Sequence, residues 1–114
     1  MTISTRVVGQ VTVLDLDGRM TRNEGHGGVK ARAVELLGQE RTSLLLNLTD
    51  VPYMDSTCVG ELVNAFITVR NKGGMLKLYG MSGRLSELLT MTKLDTVFEI
   101  FETEATALES FARS

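Results

Sequence analysis

Two β-rich runs of alternating residues open the chain. The first covers residues 3–8 and the second residues 11–16, and Gly9 and Gln10 separate them. In the second run Val11 and Val13 alternate with Thr12 and other residues that face the opposite side of a strand. Two such runs joined by two residues that include a glycine predict a β-hairpin.

Three later segments have the pattern of strands. Residues 43–48 include three consecutive leucines within an apolar run, which is typical of a strand buried on both faces. Residues 75–79 predict a further strand, and a helix-length segment separates the two runs, so we expect them to pair in parallel. The alternation over residues 97–101 predicts a last strand.

Apolar residues at helical spacing predict helices between these strands. We expect one over about 29–37 after a glycine-rich loop at 23–28, and a longer one over about 57–72. Ser82 and Gly83 open a short helix, and Thr103 can cap a final one. The fold class is therefore α/β: one small domain over residues 1–114, with a mixed β-sheet opened by a β-hairpin and packed with about four helices.

Composition excludes several classes of function. The chain has 114 residues, 12 Lys and Arg against 14 Asp and Glu, and a net charge of -2, so no basic excess indicates a nucleic-acid or membrane surface. Its one Cys and one His cannot by themselves form a structural zinc site. The first residues lack the features of a secretory signal, and no apolar segment approaches membrane-spanning length, so we expect a cytoplasmic protein.

The chemistry of the chain is concentrated where the apolar strand leads into the long helix. Met54, Asp55, Ser56 and Thr57 follow a short loop that contains Pro52. Ser and Asp before a helix most often only cap it, and spacing alone favours that interpretation. A helix N-terminus also carries about half a positive charge and unpaired N–H groups, so a phosphoryl group there is stabilised.

This segment resembles the signature of the STAS domain, in particular that of the small anti-sigma factor antagonists. Their signature is a buried strand, a short loop and Met-Asp-Ser-Ser/Thr-Gly-Leu-Gly at the start of an amphipathic helix. The resemblance extends to the hairpin, the Leu-Leu-Leu-Asn-Leu strand, the Gly73-Gly74 pair and the helix with Leu85 and Leu89. It implies a small STAS-like fold over nearly the whole chain.

The resemblance also implies a function. An anti-sigma factor that is a serine kinase would phosphorylate Ser56, with Thr57 as the second choice, and a serine phosphatase would reset the protein. The unphosphorylated form would bind the anti-sigma factor and release a sigma factor for transcription. The expected partner-binding residues are those of the signature turn: Met54, Asp55, Ser56, Thr57, Cys58, Val59 and Gly60.

The same interpretation predicts a binding module that is not an enzyme. No phosphate-binding loop, nucleophile–base pair or carboxylate pair indicates catalysis, and we expect no catalytic residue, cofactor or metal. ATP would belong to the partner kinase. The sequence predicts no nucleic-acid or membrane partner, and it leaves the oligomeric state open between a monomer and a weak homodimer.

Several residues depart from the family pattern or lie outside it. Cys58 stands where the family has glycine; a helix N-terminus can lower a thiol pKa, but a small buried cysteine is the favoured interpretation. His26 has no metal-ligand cluster around it, and Asp17 matches the family only in part and is interpreted as a turn residue. Met91, with Met54, could provide an adaptable apolar contact near Ser56.

Three functions therefore compete. The first is the phosphorylation switch on Ser56. The second is a STAS subunit of a stressosome-like or phospholipid-transport complex that binds its partner constitutively, an alternative that the Cys58 substitution leaves open. The third is a small enzyme or nucleotide-binding domain, which the missing phosphate loop disfavours.

Overall fold

One five-stranded sheet forms the centre of the molecule. The computed structural model describes residues 2–18, 28–52 and 54–112. The strands lie in the sheet in their order along the chain: β1 (Thr2–Val8), β2 (Val11–Asp17), β3 (Ser43–Asp50), β4 (Met75–Tyr79) and β5 (Ile100–Phe101). The helices are α1 (Gly28–Gly38), α2 (Ser56–Asn71), α3 (Gly83–Met91) and α4 (Glu104–Ala112), with a 3-10 turn at Leu94–Thr96.

The predicted hairpin and mixed sheet are confirmed. β1 and β2 are antiparallel, with Thr2 opposite Asp17 and Val8 opposite Val11. Gly9 has a φ of 63° in the two-residue turn, a conformation that glycine adopts without steric cost. β2, β3, β4 and β5 then pair in parallel, as expected for strands joined by helical crossovers.

Apolar residues cover both faces of the sheet. On one face a large cluster packs beneath α1, α2 and α3, and Leu44, Leu46 and Leu48 of β3 belong to it. On the other face Leu45 joins a smaller cluster beneath α4 that includes Phe111. The prediction that the leucine run is buried on both faces is therefore confirmed, because β3 is central and successive side chains point to opposite faces.

The last strand is shorter than the alternating pattern predicts. The prediction of a strand over residues 97–101 is wrong. Only Ile100–Phe101 forms a strand, and the residues before it follow the 3-10 turn. Phe98 is buried at 4% exposure, and its ring meets the Phe66 ring edge to face at 5.2 Å. Packing of Phe98 into the core beside α2 thus replaces strand pairing at this point.

A polar cluster on the α4 face joins the start of α4 to the sheet. The Arg6 Nε donates to the Asp15 carboxylate at 2.7 Å, and the guanidinium also pairs with Glu104. Tyr79 donates its hydroxyl to Glu104 at 2.8 Å, and the Asn47 amide donates to Asp15 at 2.8 Å. Hydrogen bonds from Arg6 lower the pKa of both carboxylates, while burial raises the pKa of Tyr79 to about 12.

Candidate functional site

Buried residues fix the segment that connects β3 to α2. Val51, directly after β3, is fully buried, and Met54 is 3% exposed; both belong to the larger core. Tyr53 lies outside the described residues. The two apolar anchors hold the start of α2 at the carboxyl end of the sheet, which is where parallel sheets commonly present functional groups.

Asp55 caps α2, and this leaves the hydroxyl of Ser56 available. Asp55 has an extended backbone, and its carboxylate accepts a hydrogen bond from the backbone N–H of Cys58 at 2.9 Å. Ser56, the first residue of the helix, is exposed, and its hydroxyl has no hydrogen bond within the described part of the chain. The capping role that spacing favours is therefore filled by the neighbouring aspartate.

Helical geometry divides the predicted partner-binding residues into two groups. Ser56, Thr57 and Gly60 are exposed and Asp55 is half-buried. The other three residues lie in the core and present little or no surface: Met54, Cys58 and Val59. Positions three and four of the helix turn toward the sheet, because the helical period brings them onto the same face as Leu62.

Cys58 is a core residue with a poorly acidic thiol. It is 1% exposed, and burial raises the pKa of its thiol to about 12, with a further contribution from the nearby Asp55 carboxylate. The effect that a helix N-terminus can have on a thiol is thus outweighed by loss of hydration. The interpretation of Cys58 as a small buried cysteine is confirmed.

Ser56 and Thr57 open onto different sides of α2. Ser56 lines two adjoining cavities of about 460 and 500 Å³ between α2 and α3, and we call these together the α2–α3 cleft. Thr57 instead lines a cavity of about 740 Å³ between α1 and α2, together with Lys30 and Glu61. The two hydroxyls are therefore presented to different surfaces of the domain.

The α2–α3 cleft is mainly apolar. Val59, Val63 and Leu88 line it, and Ile67, at one end of it, is 47% exposed. Met91 is 74% exposed and shares a cavity with Ser56. Of the two methionines that sequence analysis singles out, Met91 therefore lies on the surface near Ser56, whereas Met54 lies in the core.

Of the α3 residues that line this cleft, the sequence analysis singled out only Met91. Leu88 lines both of its cavities, and Arg84 lines the larger one. Leu88 is part of the apolar face predicted for the short helix, but the sequence analysis placed neither Leu88 nor Arg84 beside Ser56. A contact between helices that are separated by a strand depends on the tertiary fold.

The described residues contain no metal-binding cluster and no membrane-spanning helix. No group of three or more His, Cys, Asp or Glu in this part of the chain could hold a metal ion. None of its helices has the length and hydropathy needed to cross a bilayer. His26 and most of the predicted loop at 23–28 lie outside the described residues, and Gly28 begins α1.

Comparison with known proteins identifies the family. Residues 2–107 match the STAS domain, and the chain belongs to this family. A Thermotoga neapolitana protein whose name marks it as a candidate anti-sigma factor antagonist is 30% identical over 91% of this chain and 92% of its own length. The anti-sigma-B factor antagonist of Bacillus subtilis is 41% identical over 56% of this chain and 59% of its own length.

Solved structures share the fold. A Thermotoga maritima protein described as a candidate anti-sigma factor antagonist has a TM-score of 0.88 at 25% identity, covering 95% of this chain and 92% of its own. Bacillus SpoIIAA in its phosphorylated form has a TM-score of 0.73 at 18% identity, covering 96% of this chain and 99% of its own. The predicted fold and family are confirmed, and the relatives are named as anti-sigma factor antagonists, which are regulatory binding proteins.

Proposed function

We propose that this protein is an anti-sigma factor antagonist that changes partners when Ser56 is phosphorylated. Unphosphorylated, it binds an anti-sigma factor that is also a serine kinase, and a sigma factor is released for transcription. Phosphorylated, it dissociates, and a serine phosphatase restores the binding form. One observation carries the proposal: the Ser56 hydroxyl is exposed at the first residue of α2, and the capping bond is made by Asp55 instead.

The start of α2 is suited to carry a phosphoryl group without unfolding. The first turn of a helix has N–H groups that point away from the helix and a partial positive charge. A phosphoryl group adds a charge of about -1.5 to -2, which such a position stabilises. Because Val51 and Met54 anchor the connecting segment in the core, the modification would change the surface and leave the fold in place.

The same charge would weaken binding to a partner. A partner that covers Ser56 and the apolar wall of the α2–α3 cleft must remove water from the phosphate, which also lies next to Asp55. A loss of about 3–4 kcal/mol would lower affinity several hundred-fold. An effect of this size is sufficient to switch partners.

We propose a partner-binding surface made from the exposed part of the signature turn and the neighbouring helix. It contains Asp55, Ser56, Thr57 and Gly60, and it extends to Met91 across the α2–α3 cleft. Met54, Cys58 and Val59, expected at the surface, support it from the core. Substitutions at these three positions are therefore expected to act on stability first.

The protein acts, in this proposal, as a phosphoacceptor and binding module over its whole chain. It performs no catalysis; the kinase supplies ATP and the phosphatase removes the phosphoryl group. We place this exchange in the cytoplasm, where sigma factors act. A role as constitutive subunit of a stressosome-like or phospholipid-transport complex has less support, because Cys58 points into the core and leaves the surface around Ser56 unchanged.

Phosphate mapping tests this proposal. The protein is incubated with ATP and each serine-kinase anti-sigma factor of the same genome, and modified residues are identified by mass spectrometry. We expect one kinase to modify the wild type and Thr57→Ala but not Ser56→Ala. Ser86→Ala, at an exposed serine of α3, is the matched control and stays a substrate. Phosphate on another residue, or on none, contradicts the proposal.

A further inference from the structure

Arg84 lines the same cavity as Ser56. The larger part of the α2–α3 cleft, about 500 Å³, lies between the start of α2 and α3. Ser82 caps α3 by accepting the Leu85 N–H at 3.2 Å, so the backbone that carries Arg84 is fixed. Arg84 itself is exposed at the second position of α3. A guanidinium on a fixed helical turn thus opens onto the cavity that receives the Ser56 hydroxyl.

Acidic side chains outnumber basic ones around this cavity. Arg84 is its one cationic lining residue within the described part of the chain, and Asp55 and Glu87 contribute two carboxylates. A phosphoryl dianion in this space would be repelled by both carboxylates. Of the side chains that line the cavity, only a guanidinium can offset that repulsion and donate two parallel hydrogen bonds to phosphate oxygens.

A second cation lies on the other side of α2. Lys30 lines the cavity between α1 and α2, which Thr57 also lines and Ser56 does not. Its backbone N–H lies 3.4 Å from the Glu61 carboxylate. Each of the two cavities therefore has a basic lining residue, Arg84 in that of Ser56 and Lys30 in that of Thr57, and this arrangement makes the position of a phosphate testable.

We propose that Arg84 binds the phosphoryl group of phosphorylated Ser56 and holds it in the α2–α3 cleft. This inference rests on the proposed phosphorylation of Ser56. It adds a consequence: the phosphate is held beside Leu88 and Met91, the apolar residues of α3 that line the same cavity. Phosphorylation then adds charge and also occupies the surface that a partner would use.

Phosphorus NMR of the full-length protein measures this contact directly. Phosphoserine is incorporated at position 56 during translation, so no kinase is needed, and the second pKa of the phosphate is titrated. We expect Arg84→Gln to raise that pKa by roughly half a unit or more, because a nearby guanidinium favours the dianion. Arg84→Lys, which keeps the charge but not the paired donors, should raise it by less.

Two further variants test the position of the phosphate. Glu87→Gln should lower the phosphate pKa, since it removes a carboxylate from the same cavity. Lys30→Gln is the matched control and should leave it unchanged. An unchanged titration in Arg84→Gln, or a shift in Lys30→Gln as large as that in Arg84→Gln, would overturn the inference. Neither result would alter the kinase mapping, so failure of this contact is distinguishable from failure of the phosphorylation proposal.

Discussion

Ser56 and Cys58, both in the first turn of α2, have opposite environments. Ser56 is exposed, whereas Cys58, two positions later, is 1% exposed and lies in the core. The helical period explains the difference, because Cys58 shares the buried stripe of Leu62, Ala65 and Val69. The thiol therefore fills core volume and lies away from the surface beside Ser56.

We expect the thiol of Cys58 to be unreactive in the folded protein. Its pKa is raised to about 12 and it has almost no exposed surface, so thiol reagents require local opening. Reaction with a chromogenic disulfide at neutral pH should be at least about a hundredfold slower in the native protein than in denaturant. In the matched control Ser56→Cys/Cys58→Ala, the exposed thiol should react rapidly. Equal rates in the native wild type and this control would contradict the assignment.

Thr12 offers a direct route to a more stable protein. It is 1% exposed on β2, and its hydroxyl has no hydrogen-bond partner among the described residues. Thr12→Val replaces the buried hydroxyl by a methyl group of similar size, and we expect the free energy of unfolding to rise by about 1 kcal/mol. Urea unfolding measures the change. Thr5→Val, at an exposed position of β1, should change stability by less than about 0.5 kcal/mol, and a loss of stability in Thr12→Val would contradict the account.

At the scale of elements, local patterns predicted the larger part of the fold. The glycine turn, the leucine run and the apolar spacing of α2 are all contained in short segments, so the hairpin, β3 and α2 follow from them. The cluster that ties α4 to the sheet could not be predicted in this way. Arg6 and Glu104, which form part of it, are separated by 98 positions in the chain.

The segment before β5 shows why the final strand was predicted too long. Apolar alternation over residues 97–101 is equally compatible with a strand and with single side chains that enter the core. Phe98→Ala should lower the free energy of unfolding by about 3 kcal/mol, since it removes a buried ring that contacts Phe66. Val97→Ala, at a position 39% exposed, should cost less than about 1 kcal/mol. Equal costs would contradict this packing.

We expect the polar cluster at the start of α4 to make the free energy of unfolding fall at acidic pH. Arg6 lowers the pKa values of Asp15 and Glu104 below their ordinary values. The stabilisation is therefore present above about pH 4.5 and is lost as the pH falls through the lowered values of the folded protein. Because these groups are about a third exposed, we expect a loss on the order of 1 kcal/mol.

Two separate variants, each lacking one arginine charge, test this pH dependence of stability. Unfolding free energies measured at neutral pH and at about pH 3 should differ less in Arg6→Met than in the wild type, because the carboxylates then have no guanidinium partner. Arg32→Met is the matched control, since Arg32 meets Glu35 only at 4.0 Å on the surface. An acid response in Arg6→Met equal to that of the wild type would show that this cluster does not contribute.

At the scale of the whole molecule, the proposed phosphorylation would act through surface charge. The net charge is -2, and one phosphoryl group adds about -1.5 to -2 at the end of the sheet where α2 begins. The resemblance of Met54, Asp55, Ser56 and Thr57 to the family signature predicts the position of this proposed switch. The sequence did not predict that Arg84 and Leu88 line the same cavity as Ser56, since they reach it only through the tertiary fold.

The affinity of the partner for the two states of the protein tests the central claim most directly. Isothermal titration calorimetry would compare the serine-kinase anti-sigma factor binding to the unphosphorylated protein and to the protein with phosphoserine at position 56. We predict a reduction in affinity of a hundredfold or more, equivalent to at least about 2.7 kcal/mol. Equal affinity for the two forms would contradict the account.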